Sequence, residues 1–304
     1  MTGRRILVTG AAGFLGRHCN AALADAGAQP IAFVRGLPDL PAGVETVRGD
    51  MLEPASRQAA LDAAEAEVLI HFAWHSDPRD RWRTPANLDW IAASLALAQE
   101  FSARRGKRFV FVGSCAEYAW TCEHLSENFT PLRPATLYGA AKAATGMALS
   151  AAAEALGLSV AWPRVFFCYG PGEPRGRLVP DLIAGLTRGE RVACTDGEQR
   201  RDFMHAADIG RAVAEIALSD WQGPINVATG EAIAVKQLIG EVAQVLGRPD
   251  LVDLGAIPRS PSDPPLLEAN IAALREFGFV PRFDLAAGIA DTIAAFRAEA
   301  EAGA

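Results

Sequence analysis

The chain has 304 residues, half of them apolar, enough to bury one large α/β domain or two smaller ones. Its formal net charge of -7 excludes a surface that holds nucleic acid or anionic lipid by bulk electrostatics, since both need clustered positive charge. Any anionic ligand must meet a local group of arginines instead. In chain order, short β-branched runs alternate with alanine-rich helical stretches. "RILVTG" is followed by a helix from Phe14 to Ala26, then come "PIAFVRG", "VETVRGD" and a helix from about Ala55. "AEVLIHFAW", a helix around Asn87 to Ala103 and "KRFVFVGS" complete the series, which predicts a doubly wound parallel sheet. A long helix through "LYGAAKAATGMALSAAAEALG" is predicted to open at Pro134 and close at Gly157, before a strand "LSVAWPRVFF". From Tyr169 the pattern loosens, and the loop from Gly170 to Arg177 marks a border. Residues 1–168 are expected to bind nucleotide and 169–304 to form a smaller mixed lobe, with some segments interleaved.

Five cysteines, Cys19, Cys115, Cys122, Cys168 and Cys194, are an odd number without the paired spacing of a zinc site or disulfide framework. Reduced thiols, no metal, no membrane partner and a cytoplasmic location are the expectation, because no stretch is apolar for the length a bilayer needs.

Gly10, Gly13 and Gly16 follow a buried strand and begin a helix. Missing side chains there allow a tight turn, close approach of backbone amides to a pyrophosphate, and close helix–sheet packing, so the ligand implied is a dinucleotide. The second strand ends in Arg35, a positive charge where NADP carries its 2'-phosphate; NAD is the alternative, with Asp39 serving the ribose. Asp50, closing "VRGD", either reaches the adenine or caps the next turn.

Tyr138 and Lys142 are four apart on a predicted helix and so share a face. An ammonium beside a phenol is expected to lower its pKa toward proton exchange with a substrate hydroxyl, and Ser114, at the end of "KRFVFVGS", can hydrogen-bond the same oxygen.

"TGAAGFLG", "VGSCAEY", "YGAAK", "YGPGE" and "RRDFMHAADI", in this order and over nearly the whole chain, resemble the extended short-chain dehydrogenase/reductase superfamily, specifically its nucleotide-sugar epimerases, dehydratases and ketoreductases. The resemblance implies a Rossmann-like sheet with a smaller mixed C-terminal substrate lobe. It also implies a catalytic Tyr138, Lys142 and Ser114, with Tyr118 as a landmark. The cofactor site would take in Phe14, Leu15, Met51, Phe72 and Ala73 besides the glycines, Arg35 and Asp50. Arg201, in the family's "RDF" segment, would contact a substrate diphosphate, in a lobe that also holds Arg175, Arg177 and Arg200. Trp74 and His75, in "HFAWHSD", are expected to line the sugar pocket, as are Ser114 and Cys115. Phe167 stands where many relatives carry an Asn that touches substrate. Cys115, His71 and His205 read better as buried or structural residues than as acids or bases.

Sugar 4,6-dehydratases of this type follow the catalytic Thr with an Asp-Glu pair, whereas Cys115 and Ala116 follow Ser114 here, so dehydration is disfavoured. The expectation is an NADP(H)-dependent reductase acting on a keto group, at C4, of a nucleotide-activated deoxysugar. A 4-epimerase with tightly bound NAD is the alternative and a non-catalytic dinucleotide sensor the distant one. The apolar helices near Asn87 to Ala103 and Leu137 to Ala155 suit a homodimer.

Overall fold

The computed structural model describes residues 3–36, 40 and 44–302, which leaves Asp39 outside the described residues. β1 (Arg5–Thr9), α1 (Phe14–Asp25), β2 (Gln29–Val34), β3 (Glu45–Arg48), α2 (Pro54–Ala64), β4 (Val68–His71), α3 (Ala86–Ala103), β5 (Arg108–Phe111), α4 (Leu137–Leu156) and β6 (Ser159–Val165) follow the predicted alternation. After them come β7 (Phe167–Tyr169), α5 (Leu178–Thr187), β8 (Arg200–His205), α6 (Ala206–Leu218), β9 (Gly223–Val227), β10 (Ala232–Ala234), α7 (Val235–Val245), β11 (Leu266–Ala269) and α8 (Leu285–Ala302).

The large sheet runs β3-β2-β1-β4-β5-β6-β9, every neighbouring pair parallel. Strand order reverses between β1 and β4, and a doubly wound sheet opens its ligand crevice at that point, beyond the carboxyl ends of the strands. Such a sheet is covered on both faces, so its strands must be apolar on both. β1 does this residue by residue: Ile6 and Val8 join the core that includes Ile209 and Val213 of α6, while Leu7 joins the core that includes Leu97 of α3 and Leu149 of α4. A third core, with Leu182, Leu238 and Ile289, sits in the smaller lobe among α5, α7 and α8. There β8 pairs antiparallel with β10 and parallel with β7 and β11.

α6 and β9, well beyond residue 168 in sequence, lie with the large sheet. β9 pairs along its length with β6, and the apolar face of α6 covers the sheet beside α1. The long helix α4 begins at Leu137 rather than Pro134: the Thr136 hydroxyl accepts the Gly139 N–H at 3.1 Å, satisfying an amide that has no partner within the helix. It ends as predicted at Gly157, in the left-handed conformation (φ 61°).

Candidate active site

β1 ends at Thr9 and the chain turns at Gly10, whose φ of 67° favours glycine. A Cβ on Gly10 would lie 2.7 Å from the Ala73 amide nitrogen, and one on Gly16 would lie 2.2 Å from the Gly10 carbonyl oxygen. The loop after β4 is thereby pressed against the turn, and Thr9 Oγ1 accepts the Ala73 N–H at 3.3 Å. α1 starts after Gly13, which caps it without a side chain, and Phe14, Leu15 and Gly16 of its first turn, at the positive end of the helix, line the cavity. A dinucleotide pyrophosphate fits this cradle.

The turn opens into a cavity of about 750 Å³. Its wall brings together most of the residues singled out from sequence. Gly10, Gly13, Phe14, Leu15 and Gly16 form one part of the wall, Arg35, Asp50 and Met51 another, and Phe72, Ala73, Trp74 and His75, in the loop after β4, a third. Ser114, Cys115, Tyr138, Lys142, Phe167 and Arg177 complete it. Arg35 directly follows β2 and is exposed. Asp50 accepts the Leu52 N–H at 2.9 Å, which makes it a turn cap, one of its two expected roles. The Trp74 indole donates to Asn87 Oδ1 at 2.8 Å and stacks on Trp90, and His75 Nε2 lies 2.7 Å from Asp80.

Two of the predicted arginines do not reach the cavity wall. Arg175 donates to the Pro180 carbonyl at 2.9 Å and lies over the Phe296 ring, 5.0 Å from its centroid. Arg201 is 4% exposed, ion-paired with Asp263, and stacked over Phe167, so its charge is already answered within the protein. Arg177 does reach the wall, bound to Glu173 at 2.9 Å and to Cys168 Sγ.

The relation between Tyr138 and Lys142 also differs from expectation. Burial pushes the Tyr138 phenol up to about 12, and the groups that oppose it are the Arg81 cation first and the Ser114 hydroxyl second. Lys142 turns elsewhere: its Nζ donates to the Val112 carbonyl at 2.9 Å and sits 4.2 Å from the Trp74 ring centroid. Burial pushes this lysine well below its usual range. Of the cations around the phenol, Arg81 is the one that most opposes the effect of burial.

Sequence reasoning missed Arg17, Arg81, Trp82 and Trp120, all in the cavity wall. The Trp82 carbonyl accepts the Tyr138 N–H at 3.3 Å, and the two rings meet edge to face at 5.4 Å. Arg81 lies over Trp82, and its buried Nε has no hydrogen-bond partner within the protein. Arg17 lies in the first turn of α1, and nothing local marks the other three, which lie outside the helices and strands named above. The histidines behave as read: His71 is fully buried between Thr9 and Ser94 and driven down to about 3 by burial. His205 accepts the Ala207 N–H and caps α6. Burial pushes the Cys115 thiol up to about 12, leaving it inert at neutral pH. Among the described residues no cluster of ligands could hold a metal, and no helix is long and apolar enough to cross a membrane.

Known proteins place this geometry in a family. A model described as the NAD dependent epimerase/dehydratase family matches residues 6–228. The chain is 29% identical to a dTDP-glucose 4,6-dehydratase of Streptomyces griseus, covering 95% of this chain and 93% of that one. It is 27% identical to a dTDP-4-dehydro-6-deoxy-D-allose reductase of a Streptomyces species, covering 97% of each. A UDP-glucose 4-epimerase from Thermotoga maritima, solved with UDP-glucose, superposes with a TM-score of 0.87 at 25% identity, over 97% of this chain and 99% of that one. Three reactions are named among these relatives. The chain belongs to the NAD-dependent epimerase/dehydratase family, within the extended short-chain dehydrogenases/reductases.

Proposed function

We propose that the protein is an NADP(H)-dependent reductase of the C4 keto group of a nucleotide-activated deoxysugar. The observation that carries this reading is Arg35, an exposed cation directly after β2 in the cavity wall, where an NAD enzyme usually presents an acid to the ribose. The reductase of the Streptomyces species supports the substrate class. Bound nicotinamide would supply the hydride. Tyr138, whose phenol burial raises, would give the proton to the carbonyl oxygen, Ser114 would share that oxygen, and Lys142 would hold the nicotinamide ribose. Cys115 and Ala116 stand where a dehydratase carries its acid pair, which speaks against elimination of water. The 4-epimerase reading draws its support from the Thermotoga maritima relative.

The test is to give the purified protein a 4-keto-6-deoxy nucleotide sugar and follow NADPH and NADH absorbance separately. Stoichiometric NADPH oxidation supports the reductase; inversion of a 4-hydroxy sugar with no net cofactor consumption replaces it with the epimerase. Arg35→Glu is expected to raise the KM for NADPH about 10–100-fold, the worth of a charge-assisted contact of about 1.5–3 kcal/mol, with NADH little changed. Equal effects on both cofactors would remove the preference assigned to Arg35.

We also propose a homodimer through α3 and α4. Leu88 and Met147, each 55% exposed, are large apolar side chains on those helices. Light scattering at micromolar concentration is expected to give twice 32.2 kDa, and the mass of one chain would remove this prediction.

A further inference from the structure

Arg81 lies in the loop after β4 and lines the cavity, its Cζ 4.6 Å from the centroid of the Trp82 ring. Its backbone is fixed on both sides. The N–H donates to the Asp77 carbonyl at 3.0 Å, and the carbonyl accepts from Asn87 Nδ2 at 2.9 Å. Asn87 is fully buried and also holds the Trp74 indole, so this anchor is part of the packed start of α3. Trp82, the next residue, meets Tyr138 through both its carbonyl and its ring. These contacts in series bring the Arg81 guanidinium to the end of the cavity that holds the phenol.

A guanidinium presents five N–H donors and does not shed its proton, so taking it out of water leaves it in need of an anion. Among the described residues no acid is ion-paired with it: Asp77 pairs with Arg79 and Asp80 with His75, and the buried Nε of Arg81 has no hydrogen-bond partner. Burial and the neighbouring Arg177 cation both disfavour its charge. The remaining cations are placed otherwise. Arg35 follows β2, and Arg17, whose Nε is likewise without a partner, extends from the first turn of α1, where the cofactor pyrophosphate fits. Lys142 donates to the Val112 carbonyl and Arg177 pairs with Glu173. Arg201 pairs with Asp263 and does not reach the wall.

We propose that Arg81 binds the β-phosphate of the nucleotide-activated substrate, in the role expected of Arg201. A pyranose that offers C4 to Tyr138 carries its phosphate on C1, across the ring, and so places that anion one sugar away from the phenol. The planar fork of an arginine can take two phosphate oxygens at once, which an ammonium cannot. The proposal rests on the reading of the substrate as a nucleotide-activated sugar and is the same for a reductase and an epimerase.

The experiment is Arg81→Met, which keeps an unbranched side chain against Trp82 and removes the charge. Calorimetric titration compares UDP and dTDP with UMP and dTMP, and with NADPH. The variant is expected to bind the tighter of the two diphosphates about 10–100-fold more weakly, with its monophosphate and NADPH changed by no more than about twofold. Arg81→Lys should recover part of the loss, because charge returns without the fork, and it carries the same comparison if Arg81→Met fails to fold. Unchanged diphosphate binding overturns the proposal, and so does an equal loss for NADPH, which would place the cofactor's phosphates or the loop's packing at Arg81. A loss seen with UDP-glucuronate but not with UDP-glucose overturns it too, by placing the anion on the sugar. If the unaltered protein binds neither diphosphate, the substrate reading fails and the role of Arg81 with it; binding that Arg81→Met leaves intact removes the role alone.

Discussion

Replacing Tyr138 by phenylalanine is expected to lower kcat for keto reduction by about 10²–10⁴-fold, the usual contribution of a positioned general acid, while the Kd for cofactor stays within about twofold. The hydroxyl is the only atom removed. The ring remains wedged edge-on against Trp82, and the backbone N–H that binds the Trp82 carbonyl is untouched. The pH dependence follows from the direction of the shift. Burial raises the phenol to about 12, so the acid is present throughout the neutral range, and reduction should fall only as pH climbs toward that value. The reverse reaction, oxidation of the alcohol, needs the phenolate and should accelerate over the same alkaline range. Retained turnover in Tyr138→Phe would reject Tyr138 as the proton donor.

What the sequence showed of this site, and what it hid, divides along one physical line. Demands on the backbone leave marks. Gly10 must take a left-handed conformation and Gly16 must let α1 touch the preceding turn, so both positions were readable from spacing alone. The two-faced burial of the strands was likewise readable, because a doubly wound sheet needs apolar side chains on both faces. Side-chain direction leaves a weaker mark. Helical spacing puts Tyr138 and Lys142 on one face, yet it does not say that the ammonium reaches past the phenol to the Val112 carbonyl and the Trp74 ring. Arg175 and Arg177 are two residues apart, and only the second reaches the cavity wall: the first finds Phe296 and the Pro180 carbonyl, the second Glu173. Arg81 and Trp82 enter the wall only through tertiary folding. Glu117 had a readable sign: Ser114 followed three residues later by an acid is the pattern of a capping box, and the structure forms one there. The return of α6 and β9 to the large sheet is long-range topology, which no local pattern carries.

Gly10→Ala is expected to abolish cofactor binding and to cost the fold about 2–5 kcal/mol, the sum of a left-handed residue at about 1–2 kcal/mol and overpacking at about 1–3 kcal/mol. Both terms apply because the positive φ is fixed by the turn and the new methyl would meet the Ala73 amide at 2.7 Å, a backbone atom that cannot swing aside as a side-chain tip can. Relief requires β1 and the loop after β4 to separate, and that loop carries Phe72, Ala73 and Trp74 into the cavity wall. Gly157→Ala supplies the control. It has a similar φ of 61°, but a methyl there would meet nothing within 4 Å, at the far end of α4. Only the conformational cost remains, about 1–2 kcal/mol, and cofactor binding should survive. Thermal unfolding with and without NADPH separates the two. Saturating ligand at about 100 times Kd should stabilise the unaltered protein and Gly157→Ala by about 2.7 kcal/mol and Gly10→Ala not at all. A ligand-induced shift retained in Gly10→Ala would mean that the pyrophosphate does not rest on this turn.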